Sequence, residues 1–138
     1  MADLTLTVKN IRPLIPSQVV HGLAGGSFNV GDAVVLNASE VWVEADASAA
    51  PTAVGLAGIC VGCGTRRTDG GVVVNDRVDV AVFGRVSGFL DANGGSNYYL
   101  SDNAGLVSDA AGTVTRFIAN GESATTIFVN GTGIGTSA

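Results

Sequence analysis

"VDVAVFGRVSGFL", residues 78–90, is the stretch that decides the fold. Val78, Val80 and Val82 alternate with Asp79, Ala81 and Phe83, the period of two that sets every second side chain on one face of a strand. Carried onward, the same phase predicts Val86 and Leu90 on that apolar face, with Gly84 and Gly88 in step. Glycines in phase within a long strand mark a bulge or bend where it passes between sheets.

Shorter phrases of the same kind flank it. Residues 19–24 read as a strand, and residues 33–36 and 41–45 as a hairpin across "NASE". "VGLAGICVG" combines small and β-branched residues, as in a strand packed closely on both faces. "NYYLSDNAGLVS" reads as a second hairpin, and "TVTRFI" and "ATTIFV" complete the set. "DAVVLNASEVWVEADASAA" and "SNYYLSDNAGLVSDAAGT" both run strand, polar turn, strand, Asp-Ala bend, which two related halves of a barrel or chance likeness among hairpins would equally produce. "CGTRRTDGG" is polar and glycine-flanked, so it predicts an exposed loop. In "LTLTVKNIRPLIPS", Leu4, Leu6 and Val8 alternate with Thr5, Thr7 and Lys9, and two prolines then hold the chain extended.

The expected fold is therefore all-β: a single small β-barrel or β-sandwich of short antiparallel strands with an extended N-terminal arm. The expected division is an arm over residues 1–17, a body over 18–130 and a loose tail over 131–138. With 138 residues the chain is long enough to bury one core without disulfide staples. Its 20 glycines and 14% charged residues favour turns and strands over helices.

A net charge of −5 gives no electrostatic reason to approach nucleic acid, because phosphate binding rests on clustered Lys and Arg. The start has no basic segment followed by an apolar one, and no apolar run reaches about 18 residues. The expectation is synthesis in the cytoplasm with no membrane span.

Cys60 and Cys63 form a C-x-x-C. A structural zinc site needs four ligands, and the chain adds only His21 to this pair. Disulfide exchange needs the first cysteine at a helix N-terminus within a βαβ unit, a pattern that is not present. The pair reads as a buried Cys60 and a loop-starting Cys63, either reduced or bonded to each other after release from the cell. His21 alternates with Val19 and Leu23, which points it towards a core or an interface and away from a triad. Asp76, Asp91, Asp102 and Asp109 read as turn formers, and no convergent acid pair stands out. "GLAGG" and "GTGIG" lack the following helix that would hold a phosphate. Trp42, Tyr98 and Tyr99 would suit a sugar-stacking platform, or else the core and subunit contacts. No catalytic residue, cofactor or metal is expected.

The ordered phrases "GLAGGSFNVGDAVVL", "VGLAGICVG", "VDVAVFGRVSG", "NYYLSDNAGLVSDAAGTVTRFI" and "SATTIFVNG" carry a resemblance. Over about residues 18–130 the chain resembles the small glycine- and alanine-rich capsid decoration, or cement, proteins of tailed bacteriophages. The resemblance implies a non-enzymatic virion protein on the outer face of the head. It also implies that the protein binds the major capsid protein and itself, as a dimer or trimer, and bridges neighbouring capsomers. The alternative class is a carbohydrate-binding or adhesion module displayed on a virion or cell surface. The candidate contacts to capsid or neighbouring subunit are Leu4, Leu6, Val8, Lys9, Ile11, Arg12, Leu14 and Ile15 of the arm, acting by β-augmentation, with Arg66 and Arg67 of the loop. The arm would equally close the edge of its own barrel.

Overall fold

The computed structural model describes residues 3–6, 11–49, 52, 53, 55–64 and 71–131. The described residues form eleven strands: β1 Arg12–Leu23, β2 Phe28–Asn29, β3 Ala33–Leu36, β4 Trp42–Glu44, β5 Ala57–Cys63, β6 Gly71–Val72, β7 Arg77–Ser87, β8 Asn97–Leu100, β9 Val107–Ser108, β10 Phe117–Gly121 and β11 Thr126–Asn130. Among them no helix is long and apolar enough to cross a membrane. The protein is all-β: an antiparallel sheet in the order β4-β3-β5-β7-β11-β10-β8-β9 curls into a half-barrel, with β1 added beside β7 and β2 and β6 forming a separate ribbon.

The hub is β7. One edge of β7 is filled along its length by β1, from Arg12 opposite Ser87 to Leu23 opposite Arg77. Its other edge is shared, by β5 over Val78 to Ala81 and by β11 over Phe83 to Ser87. Two wings therefore diverge near Val82: β5, β3 and β4 on one side, β11, β10, β8 and β9 on the other.

Between the wings lies the larger core, where Val35, Ile59 and Ala81 meet Tyr98, Leu100, Ile118, Ile127 and Val129. The reverse face of the first wing holds a smaller core of Val34, Trp42, Cys60, Val78, Val80 and Val82, to which Phe28 and Val72 of the β2–β6 ribbon contribute. Small residues in β5 are thus buried on both sides, Ile59 towards one core and Cys60 towards the other.

The simple alternation expected for β7 fails at its far end. Ala81 faces the larger core and Val82 the smaller, yet Val86 returns to the larger. Strict alternation would keep Val82 and Val86 together. Gly84, with φ +110°, lies where the phase slips, and Gly88, with φ +114°, follows it. A positive φ is open to glycine at little steric cost and re-aims the residues beyond it. Phe89 consequently turns in, 1% exposed, and Leu90 turns out, 58% exposed, which corrects the expectation that Leu90 is buried.

The free ends of the two wings are laced together by backbone bonds. Gly105 N–H donates to Ala45, Ala33 N–H donates to Gly105, and Ala47 N–H donates to Ser101. The N-terminal residues add a second closure: Leu4 N–H donates to Val107 beside β9, and Leu90 N–H donates to Thr5. Asp91 accepts from Thr5 N–H, and Asp3 accepts from the Asn103 amide. Leu4 and Ile11 are each 6% exposed within the larger core. Leu6 packs beside them, and a β-carbon on Gly31 would come within 2.8 Å of Leu6 Cδ1.

The expected boundary at residues 17 and 18 falls inside β1, and Gly131, expected to open the tail, is held by Val82 and Ala57. Truncating Leu4 removes buried apolar volume from the core itself. Leu4→Ala should lower the unfolding free energy by about 2–4 kcal/mol in urea denaturation; an unchanged midpoint would show that residues 3–6 are not part of the body.

Candidate functional site

The cysteine pair is built on a bulge. The β5–β7 register skips between Cys60 and Gly62, so both thiols reach the smaller core instead of opposite faces. Cys60 is fully buried and Cys63 half-buried at the end of β5; both are free thiols. Cys60 Sγ donates to Gly62 O at 3.4 Å, and Cys63 Sγ lies 3.7 Å from Asp76 Oδ2. Burial pushes the Cys60 thiol up to about 12, which suppresses its nucleophilic form at neutral pH. Among the described residues no three His, Cys, Asp or Glu side chains are grouped to hold a metal ion.

His21 is not turned into a core. It is exposed, with Nδ1 2.5 Å from Asp79 Oδ1, because its neighbours along the row across β7 and β5 are Asp79 and Gly62, neither of them apolar. The turn aspartates serve the backbone: Asp76 accepts from Val73 N–H, and Asp102 accepts from Thr113 N–H and Oγ1.

The aromatic residues are divided between inside and outside. Trp42 and Tyr98 are each 1% exposed and so cannot offer the sugar platform considered for them; the Tyr98 hydroxyl accepts from Asn93 N–H. Tyr99, next in the strand, turns to the outer face and meets Phe117 edge to face at 6.1 Å. Phe83 and Phe128 form a second edge-to-face pair at 5.2 Å, with Phe83 42% exposed. Four of the protein's eight aromatic side chains thus lie outside the second wing. The first wing carries the β2–β6 ribbon over its reverse face; among the described residues no comparable strand layer covers the second. Arg85 and Glu122 form an ion pair on this second wing, Arg85 Nη2 to Glu122 Oε1 at 2.6 Å.

At the end of β7, Arg12, Ser87, Gly88, Phe89, Leu90 and Thr125 line a groove of about 290 Å³. This groove and the aromatic face are the surfaces best suited to a large partner, since aromatic and arginine side chains dominate the centres of protein interfaces.

Of the arm residues named as contacts, Leu4 and Ile11 are committed to the protein's own core and Leu6 packs against it. Arg12 is exposed in the groove and Leu14 is half-buried in β1. Val8, Lys9, Arg66 and Arg67 lie outside the described residues, and Ile15 is placed in β1 by its backbone alone. Removing residues 2–16 would therefore take away the core side chains of Leu4 and Ile11 and the first five of the twelve residues of β1.

Sequence reasoning missed the carboxyl pair of Asp32 and Glu44, which converge above Gly105. The β3–β4 register, with Val34 opposite Glu44, holds the only signal for it. It also missed Arg116, 1% exposed, whose guanidinium donates to the carbonyls of Ala53, Gly55 and Gly131. Burial draws that guanidinium below its ordinary value.

Comparison with family models, with curated proteins and with solved structures finds no match to this chain. The two thiols give a direct check on the site geometry. Iodoacetamide should modify one cysteine, Cys63, in the native protein and the second only on unfolding; native labelling of both at equal rates would contradict the burial of Cys60.

Proposed function

We propose that the protein is a structural virion component that binds the outer surface of a bacteriophage capsid and stabilises it by bridging neighbouring capsomers. Its partners in this reading are the major capsid protein and further copies of itself, as a dimer or trimer. It acts there without enzymatic chemistry, cofactor or nucleic acid.

The observation that carries the reading is the outward aromatic face of the second wing, Phe83 with Phe128 and Tyr99 with Phe117, on a body whose wing ends are laced together. A rigid body that presents aromatic anchors loses little conformational entropy on docking. Repetition over a lattice then raises the effective concentration of each further contact, so no single contact has to be strong. The resemblance to decoration proteins supports the same role, and an acidic body suits an exterior position away from packaged DNA. Arg12, in its groove beside exposed Leu90, is the contact retained from the N-terminal segment.

A carbohydrate-binding module is the second reading, favoured by the outward position of Tyr99. It differs in its ligand, so a glycan array separates the two.

The test is co-sedimentation with heads assembled without this protein, taken from the phage whose genome encodes it. Wild-type protein should pellet with the heads. The double substitution Phe83→Ser and Phe128→Ser should weaken binding by about tenfold or more while the fold survives. Wild-type protein that stays in the supernatant, or that binds glycans in place of heads, would overturn the proposal.

A further inference from the structure

The seam where the two wings meet brings the carboxyl groups of Asp32 and Glu44 together over one glycine. Gly105, from the loop between β8 and β9, has φ +80° and bonds both wing ends, donating to Ala45 and accepting from Ala33. A β-carbon on it would lie 2.6 Å from Glu44 Oε2 and 2.9 Å from Asp32 Cγ. Both carboxyl groups are therefore packed side by side against the residue that closes the half-barrel.

Two charged carboxylates packed side by side repel, whereas one retained proton removes the repulsion and supplies a donor between them. Among the described residues the surroundings offer no other relief. From β2, Asn29 N–H donates to Asp32 Oδ2. From β5, Cys60 N–H donates to the Asp32 backbone carbonyl, and the Cys60 thiol itself bonds Gly62 O. On the β8–β9 side, Asp102 is engaged with Thr113, and Asn103 with Asp3. Among the described residues no lysine, arginine or histidine forms an ion pair with Asp32 or Glu44. Glu44 also borders an open cleft of about 480 Å³ with Ser27, Phe28 and Asn29, so water reaches the pair to exchange its proton.

We propose that Asp32 and Glu44 form a proton-operated latch on the seam: a shared proton holds the two wing ends together over Gly105, and its loss loosens that closure. The inference concerns the protein's own regulation and does not depend on what the body binds.

Burial, followed by the contact with Glu44, raises the Asp32 carboxyl from 3.8 to about 7, against the opposing pull of Asn29 N–H. The sign follows. Between these values the folded protein keeps a proton that the unfolded chain has lost, so stability falls as pH rises. The contribution is whole below about pH 4 and gone above about pH 7, the reverse of an ordinary ion-paired aspartate.

Two measurements test the latch. The first follows the Asp32 carboxyl carbon by NMR in the wild-type protein: a midpoint near neutrality is expected, and a midpoint near 4 would overturn the proposal. The second compares amide-exchange protection of Gly105 and Ala33, corrected for intrinsic rates, at pH 5 and pH 8.5. Protection should fall by about tenfold or more in the wild type and by less than twofold in Asp32→Asn, which keeps a hydrogen-bonding group without titrating. An equal fall in both proteins, or none in the wild type, would assign the closure to something other than this pair.

Discussion

The structure depends on the full occupation of both edges of β7. A strand offers two edges, and here β1 takes one whole while β5 and β11 divide the other. Two strands that claim successive halves of one edge cannot both continue straight past the junction, so the sheet splits near Val82 into wings. The space between those wings is the larger core. The split creates its own problem, because backbone groups at the fork have no ladder to join.

Gly131 and Arg116 resolve it. Gly131 N–H donates to the Val82 carbonyl, and its own carbonyl accepts from Ala57 N–H and from Arg116. Only glycine fits, since a β-carbon there would overlap the Ala57 carbonyl oxygen. Arg116 directly precedes β10 in the second wing and donates to the carbonyls of Ala53 and Gly55, ahead of β5 in the first. A planar guanidinium with five donors can serve three carbonyls at once, where a lysine ammonium would not match the fan. The charge is held by backbone dipoles, and Arg116 Nε has no hydrogen-bond partner, so the fork is tied at the cost of desolvating a cation. Closure at the opposite side, through Gly105 and residues 3–6, makes the half-barrel a firm support for the aromatic pairs outside it.

Period and turn chemistry made most of the strands legible. The hairpins at β3–β4 and β8–β9, the two-sided packing of β5 and the length of β7 all follow from alternation, side-chain size and turn residues. The two echoing hairpins occupy opposite ends of the sheet, which pairwise likeness in sequence could not locate. Less legible was every feature set by long-range registration. The phase slip at Gly84 depends on a backbone angle, so alternation alone places Leu90 on the wrong side. Leu4 and Leu6 alternate as any strand arm would, and only the packing of Leu4 and Ile11 against residues across the fold distinguishes a core from a docking surface. Asp32 and Glu44 are twelve positions apart and meet through a glycine of another hairpin. Arg116 sits in "TVTRFI" like any solvent-facing strand arginine, and its burial is visible only once the fork exists.

If β7 is a common wall, the two wings cannot open independently. Native-state hydrogen exchange read at Ile59 of β5 and Ile127 of β11 tests this directly, because each lies in a different wing and pairs with β7. The structure predicts one opening free energy and one denaturant dependence for both amides. Two distinct opening energies with different denaturant slopes would mean that the wings are separate units and that β7 does not unite them.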